Sequence, residues 1–138
     1  MAIGNGTWAI GSCSFAGGAT CTNNGTASFV FGSNCTVEKN YAAGIGGRLI
    51  VSNDFETVVG YWNKPVVGNR FSVGIGSSNT TRKNAFEVRS NGNIYMSANP
   101  DGIYISGTNL TQTIKAVVLD AVQNDQQFRD ALRAALNQ

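Results

Sequence analysis

Few side chains in this sequence could do chemistry, and their types limit what that chemistry would be. The chain contains no histidine, which removes the commonest general base and the commonest metal ligand, and with them His-dependent triads and His-ligated zinc sites. Among its eight acidic residues, Asp54 and Glu56 lie two apart. On a strand that spacing puts both on one face, so distance alone leaves a glycosidase-like pair open. Nothing around them reads as a cleft or as an acid of raised pKa, and both are expected to be solvated surface charge. Cys13, Cys21 and Cys35 are too few for a metal site without His, and their odd number gives no complete disulfide framework. Gly44-Ile45-Gly46-Gly47 and Gly74-Ile75-Gly76 lack both a following Gly-Lys-Ser/Thr and a strand–turn–helix context, so neither is a phosphate loop. The expectation is a non-enzymatic chain with no catalytic residue, no cofactor and no metal. Recognition is the chemistry that remains. Tyr61-Trp62-Asn63-Lys64-Pro65 presents two aromatics beside a cation, the usual anchors for a glycan or protein partner. Tyr61, Trp62 and Lys64 are therefore the candidate ligand-binding residues, with Trp8 a second aromatic candidate. The competing role for Trp62 is packing over the last coils or between subunits.

The elements that must position these residues announce themselves in the composition. The chain has 138 residues, the size of one ordinary domain, with 17 Gly and only 13% charged residues, against roughly 25% in typical soluble domains. A monomer so poor in charge and in large side chains would struggle both to fill a core and to solvate its surface. Hiding surface against other copies of the chain resolves both difficulties. The formal charge of +2 comes from scattered basic residues, so nucleic acid is not an expected partner. No apolar run approaches the ~18 residues of a spanning helix, so no membrane insertion is expected. The opening Met-Ala-Ile-Gly-Asn-Gly has no basic stretch followed by an apolar run. That implies folding in a reducing cytoplasm, unless the chain is a fragment of something longer.

Glycine keeps time through the first half. Gly4, Gly18, Gly32, Gly46, Gly60 and Gly74 recur at 14-residue spacing, with Gly11 and Gly25 at half-steps that then give way to Lys39, Asn53 and Val67. Small or β-branched residues precede these glycines, as in Ala9-Ile10, Val30-Phe31 and Val58-Val59. A strand of about five residues plus a tight corner fills seven residues, and two such halves complete a coil of a β-solenoid. Glycine is expected to mark the corners, or to let the chain pass close to its neighbour. The departures at Lys39, Asn53 and Val67 predict bulges or loops in the middle coils. Cys21 and Cys35, one period apart, are expected to stack as reduced, buried side chains.

The steps Ala2-Ile3-Gly4, Ala9-Ile10-Gly11 and Val58-Val59-Gly60 resemble the head repeats of trimeric autotransporter adhesins. The stretch from Val66-Val67-Gly68-Asn69-Arg70 through Ser78-Asn79-Thr80-Thr81-Arg82-Lys83-Asn84 to Asn91-Gly92-Asn93-Ile94-Tyr95 is similar to one common in bacteriophage fibre proteins. Together the resemblance covers residues 2–96. It implies a mainly β fold, a left-handed parallel β-roll with 14-residue coils, assembled as a homotrimer. It further implies a structural segment of a phage tail fibre, located in the virion. Its partners would be itself, other fibre or tail proteins and a bacterial surface glycan or protein. The alternative is a head fragment of a bacterial trimeric adhesin at the cell surface.

The organisation expected is a β-roll over residues 1–77, a β-hairpin and strand region over 78–107, and a helical trimerisation or capping segment over 108–138. Asn91-Gly92 between Ala85–Val88 and Ile94–Met96 is a hairpin signal, and Asn99-Pro100-Asp101-Gly102 a second turn before Ile103-Tyr104-Ile105. Ile114, Val117, Val118, Ala121 and Val122, then Phe128, Ala131, Leu132, Ala135 and Leu136, fall on one face of a helix. The tail is either one coiled-coil helix with Asn124 at a core position or two short helices broken at Asn124-Asp125; the scarcity of large residues at the core positions favours two.

Overall fold

The computed structural model of the chain describes residues 1–97, 104–105 and 108–137. The turn expected at 99–102 and residue 103 lie outside the described residues. The chain divides into two units, Met1–Ser97 and Ala98–Gln138.

The first unit is mainly β, a solenoid of about five coils with a 14-residue period. Each coil gives one longer strand to a broad sheet: β1 (Ala2–Asn5), β3 (Phe15–Ala19), β5 (Phe29–Ser33), β7 (Ala43–Gly47), β9 (Thr57–Tyr61) and β10 (Asn69–Ile75), all paired in parallel. Each of the first four also gives a two-residue strand to a second parallel sheet, β2 (Trp8–Ala9), β4 (Thr22–Asn23), β6 (Thr36–Val37) and β8 (Ile50–Val51). The register advances 14 residues per step, as in Phe15↔Phe29↔Ala43↔Thr57. The interior is as thin as so short a coil requires. One coil buries Val30, Cys35, Val37 and Ala42, and the next buries Leu49, Val51 and Glu56 around Gly44. A Cβ at Gly44 would lie 3.0 Å from a Val51 methyl, so this glycine makes room for the larger Leu49 and Val51 in its own coil. Cys21 and Cys35 are buried free thiols, and desolvation raises the Cys35 pKa, which keeps it protonated and unreactive.

Glycine and corner are separate features. The corners are built by residues with left-handed backbone at a strict seven-residue interval: Cys13, Thr20, Ala27, Asn34, Tyr41, Arg48, Phe55 and Trp62, all with φ between 47° and 59°. Such a conformation costs an ordinary L-residue roughly 1–2 kcal/mol. The turn aims each corner N–H at the preceding coil, where it finds a carbonyl 15 residues back: Ala27 to Ser12 (2.8 Å), Asn34 to Ala19 (2.8 Å), Tyr41 to Thr26 (2.9 Å), Arg48 to Ser33 (2.7 Å). That hydrogen bond offsets the strain, so the corner tolerates residues other than glycine. The 14-residue glycines lie inside the long strands instead. A Cβ on Gly32 would sit 1.8 Å from the Gly46 carbonyl oxygen, and the same clash recurs from Gly4, Gly18 and Gly46 to the next coil. These positions are held by close approach between stacked strands rather than by a turn.

The coils expected to bulge at Lys39 and Asn53 keep their length, and the corner series runs unbroken to Trp62. The break comes beyond it. Where a fifth strand of the smaller sheet would follow, the Asn63 side chain takes its place: its Oδ1 accepts from Ile50 N–H (2.8 Å) and its Nδ2 donates to the Ile50 carbonyl (2.9 Å). The amide presents a donor and an acceptor in peptide-like geometry, so both backbone groups of Ile50 are satisfied where the ladder ends. Beyond β10 the chain reverses. Strands β11 (Asn84–Arg89) and β12 (Ile94–Met96) add antiparallel to the broad sheet, joined by the expected Asn91-Gly92 turn with Gly92 at φ 84°.

The outer face of the broad sheet is apolar and uncovered. Ile3, Phe29, Phe31, Ile45, Tyr61 and Ile75 are each between 39% and 56% exposed, on strands β1, β5, β7, β9 and β10 of one sheet. Phe15 stacks on Phe29 with centroids 5.1 Å apart, and at the corners Tyr41 stacks on Phe55 at the same distance.

In the second unit a short antiparallel pair, β13 (Tyr104–Ile105) and β14 (Thr108–Asn109), precedes α1 (Leu110–Asn124) and α2 (Gln126–Leu136). Two helices form because Asp125 adopts an extended conformation and caps α2, its Oδ1 accepting from Phe128 N–H at 3.0 Å. No residue of α2 is buried, and Val117, Val118, Leu119 and Leu136 also stand exposed.

Candidate functional site

The site is assembled where the solenoid stops repeating. Trp62 is the last corner residue, so the residue one coil earlier in the same column, Arg48, lies over its ring with the guanidinium carbon 5.0 Å from the centroid. From the loop before β11, Arg82 reaches the same ring at 4.7 Å. Arg82 donates to the backbone carbonyls of Arg48 and Asn63 (both 3.0 Å) and to Asn79 Oδ1 (3.1 Å). It forms no ion pair with a carboxylate among the described residues, and burial lowers its pKa from the ordinary arginine value. Cation–π contacts of this kind contribute about 0.5–1 kcal/mol each at half-exposed positions. Tyr61 lies edge-on to Trp62, centroids 5.8 Å apart.

Asn84 ties the hairpin to the loop that carries Lys64. Its Oδ1 accepts from Lys64 N–H (2.8 Å) and its Nδ2 donates to the Lys64 carbonyl (2.7 Å) and to Glu87 Oε1 (2.8 Å). Glu87 in turn is paired with Arg89, whose guanidinium lies 4.6 Å from the Tyr95 centroid. Lys83 is held by its backbone on both sides, N–H to Trp62 carbonyl at 3.1 Å and carbonyl to Ile75 N–H at 2.9 Å. These groups surround a cavity of about 330 Å³ lined by Lys64, Arg82, Lys83, Glu87, Arg89 and Tyr95, among others. The ammonium groups of Lys64 and Lys83 are exposed and make no hydrogen bond or ion pair among the described residues.

Of the residues singled out in the sequence, Tyr61, Trp62 and Lys64 therefore stand together at this end of the solenoid. Trp8 does not join them. It lies on β2, at the opposite edge of the smaller sheet, with 64% of its surface exposed. Arg48 was not singled out from the sequence, although it stands one period before Trp62. Arg82, Lys83, Arg89 and Tyr95 arrive through the aperiodic hairpin, and no sequence spacing marks them.

The Asp54–Glu56 pair is not a surface pair. Asp54 is exposed, its Oδ1 accepting from Asn40 N–H one coil back (2.9 Å), whereas Glu56 is fully buried. Glu56 Oε2 accepts from Ser52 N–H, Asn53 N–H and Asn53 Nδ2 at 2.9–3.1 Å, while Oε1 has no hydrogen-bond partner among the described residues. Burial raises its pKa against the lowering effect of the Asn53 and Ser52 hydrogen bonds. Glu56 faces the solenoid interior and Asp54 faces solvent, so the two do not flank a common substrate position.

Comparison with known protein families, with curated proteins and with solved structures finds no match.

Proposed function

We propose that this chain is a structural segment of a homotrimeric fibre of the left-handed β-roll type, part of a phage tail and engaged in attachment to a bacterial surface, without catalysis. The observation that carries the reading is the uncovered apolar face of the broad sheet. Six large exposed side chains from Ile3 to Ile75 share that face. Their exposed surface is on the order of several hundred Å², at the upper limit of what soluble monomers tolerate. Three copies arranged about an axis along the solenoid would bury this face in a closed assembly. The open edges of β1 and β2 add a second reason for continuation, since each pairs on one side only. The alternative, the head of a bacterial surface adhesin, uses the same assembly and differs in genomic neighbourhood: virion-assembly genes support the first, an outer-membrane anchor in the same reading frame the second.

The test is the mass of the full chain in solution by light scattering. The trimer is expected at three times 14.5 kDa, and Phe31→Glu with Ile45→Glu should dissociate it. A stable wild-type monomer would refute the trimer and the attachment role built on it.

A further inference from the structure

The cavity beside Lys64 concentrates charge that the rest of the chain spreads thinly. Four of the ten basic residues line it, Lys64, Arg82, Lys83 and Arg89, against one of the eight acidic residues, Glu87. These cations are not equivalent. The Arg82 fork is committed to two backbone carbonyls and to Asn79, and Arg89 is committed to Glu87. Neither guanidinium is free for the bidentate grip by which arginine recognises phosphate. The uncommitted positive charge is that of the Lys64 and Lys83 ammonium groups. Their backbones are fixed on both sides, by Asn84 and by the Trp62 and Ile75 peptides, so a ligand would order only the side chains.

The remaining wall is apolar. Tyr95 and Met96 are 47% and 50% exposed, and the guanidinium of Arg89 packs against the Tyr95 ring. A small inorganic anion has no use for an aromatic wall. A sugar ring does, because its C–H face packs on an aromatic while its hydroxyls meet polar rims. The volume, about 330 Å³, is at the small end of ligand pockets and suits one monosaccharide residue.

We infer that this cavity binds a carboxylate-bearing sugar residue, a uronate or a nonulosonate, with Lys64 and Lys83 on the carboxylate and Tyr95 against the ring. The inference rests on the attachment reading for its biological setting and names the class of glycan that reading would involve.

The experiment is calorimetric and saturation-transfer NMR titration of the full chain with four carboxylate and control probes. These are methyl glucuronide, the methyl glycoside of N-acetylneuraminate, neutral methyl glucoside and sodium phosphate. At least one of the two acidic sugars should bind about tenfold or more tightly than the glucoside, and weaken as salt rises from about 50 mM to about 500 mM. Lys64→Gln with Lys83→Gln should weaken that binding about tenfold while Lys64→Arg with Lys83→Arg retains it. Tyr95→Ala should remove saturation transfer to the ring protons. Binding of neither acidic sugar, equal binding of the glucoside, tighter binding of phosphate, or an unchanged affinity in the double Gln variant would each overturn the inference. Both lysines are exposed, and light scattering on the same samples separates the two claims. A trimer that binds no acidic sugar removes the site and leaves the fibre, whereas a monomer that binds one removes the fibre and leaves the site.

Discussion

Replacing Gly32 by alanine tests whether the glycine period records close packing between coils. The Cβ would start 1.8 Å from the Gly46 carbonyl oxygen, against an ordinary closest C···O approach of about 3.3 Å. The two strands would have to separate by about 1.5 Å on an interstrand spacing of about 4.8 Å. That displacement removes the flanking hydrogen bonds between β5 and β7, about two of them at roughly 1 kcal/mol net each. Gly32 also has φ 146°, a region that costs a residue with a Cβ about 1–3 kcal/mol. The sum is about 3–5 kcal/mol, or a fall in the urea midpoint of about 2 M for a chain of this size. Gly17→Ala is the control one residue away from the same column. Its Cβ would meet the ring edges of Phe31 and Phe15 at 2.7 and 2.9 Å, and its φ is not positive. Both clashes are with side-chain ring atoms rather than with backbone, so the cost should be smaller than that of Gly32→Ala. Urea unfolding at one fixed protein concentration measures both variants. Equal midpoints for the two, or a Gly32→Ala midpoint near that of the wild type, would refute the close-approach account.

Glu56 should make the protein less stable as pH rises. Its folded-state pKa lies above the unfolded value, so between the two values the folded chain holds a proton that the unfolded chain has released. The penalty is absent below the unfolded value and complete above the folded one. Glu56→Gln should flatten this slope and raise the melting temperature at pH 8, as read by calorimetry across pH 4–8; a steeper slope would contradict it. Asn63→Leu should leave the Ile50 N–H and carbonyl without partners at a cost of about 2–4 kcal/mol, and the Ile50 amide should exchange with solvent faster than in the wild type. Ala27→Gly relieves an exposed left-handed corner with φ 50°; after glycine's own entropic cost it should gain up to about 1 kcal/mol, and a loss above about 1 kcal/mol would mean the corner is not strained.

The repeat was legible because parallel stacking in register imposes one steric solution at the same place in every coil. A column that leaves no space for a Cβ must be glycine each time, so Gly4 through Gly74 spell out the period in the sequence. The Asn91-Gly92 hairpin and the helix break at Asn124-Asp125 were legible for a similar reason, since both depend on residues adjacent in the chain. The corners were not. Any residue serves there once its N–H reaches the preceding coil, so Thr20, Tyr41, Arg48 and Phe55 occupy equivalent positions and leave no compositional mark. Glu56 was misplaced on the surface although it stands one period after buried Ala42 and two after Ser28. Its column, rather than its charge, set its environment, and three donors on Oε2 made the burial tolerable. Trp62 and Lys64 could be singled out from their own types, whereas Arg48 was missed although it stands one period before Trp62. The cavity itself depended on an antiparallel reversal that brings Arg82, Lys83, Arg89 and Tyr95 back beside them. Periodic contacts are written locally and repeated, whereas a fold-back contact is made once, between segments that share no spacing, and only the tertiary structure decides it.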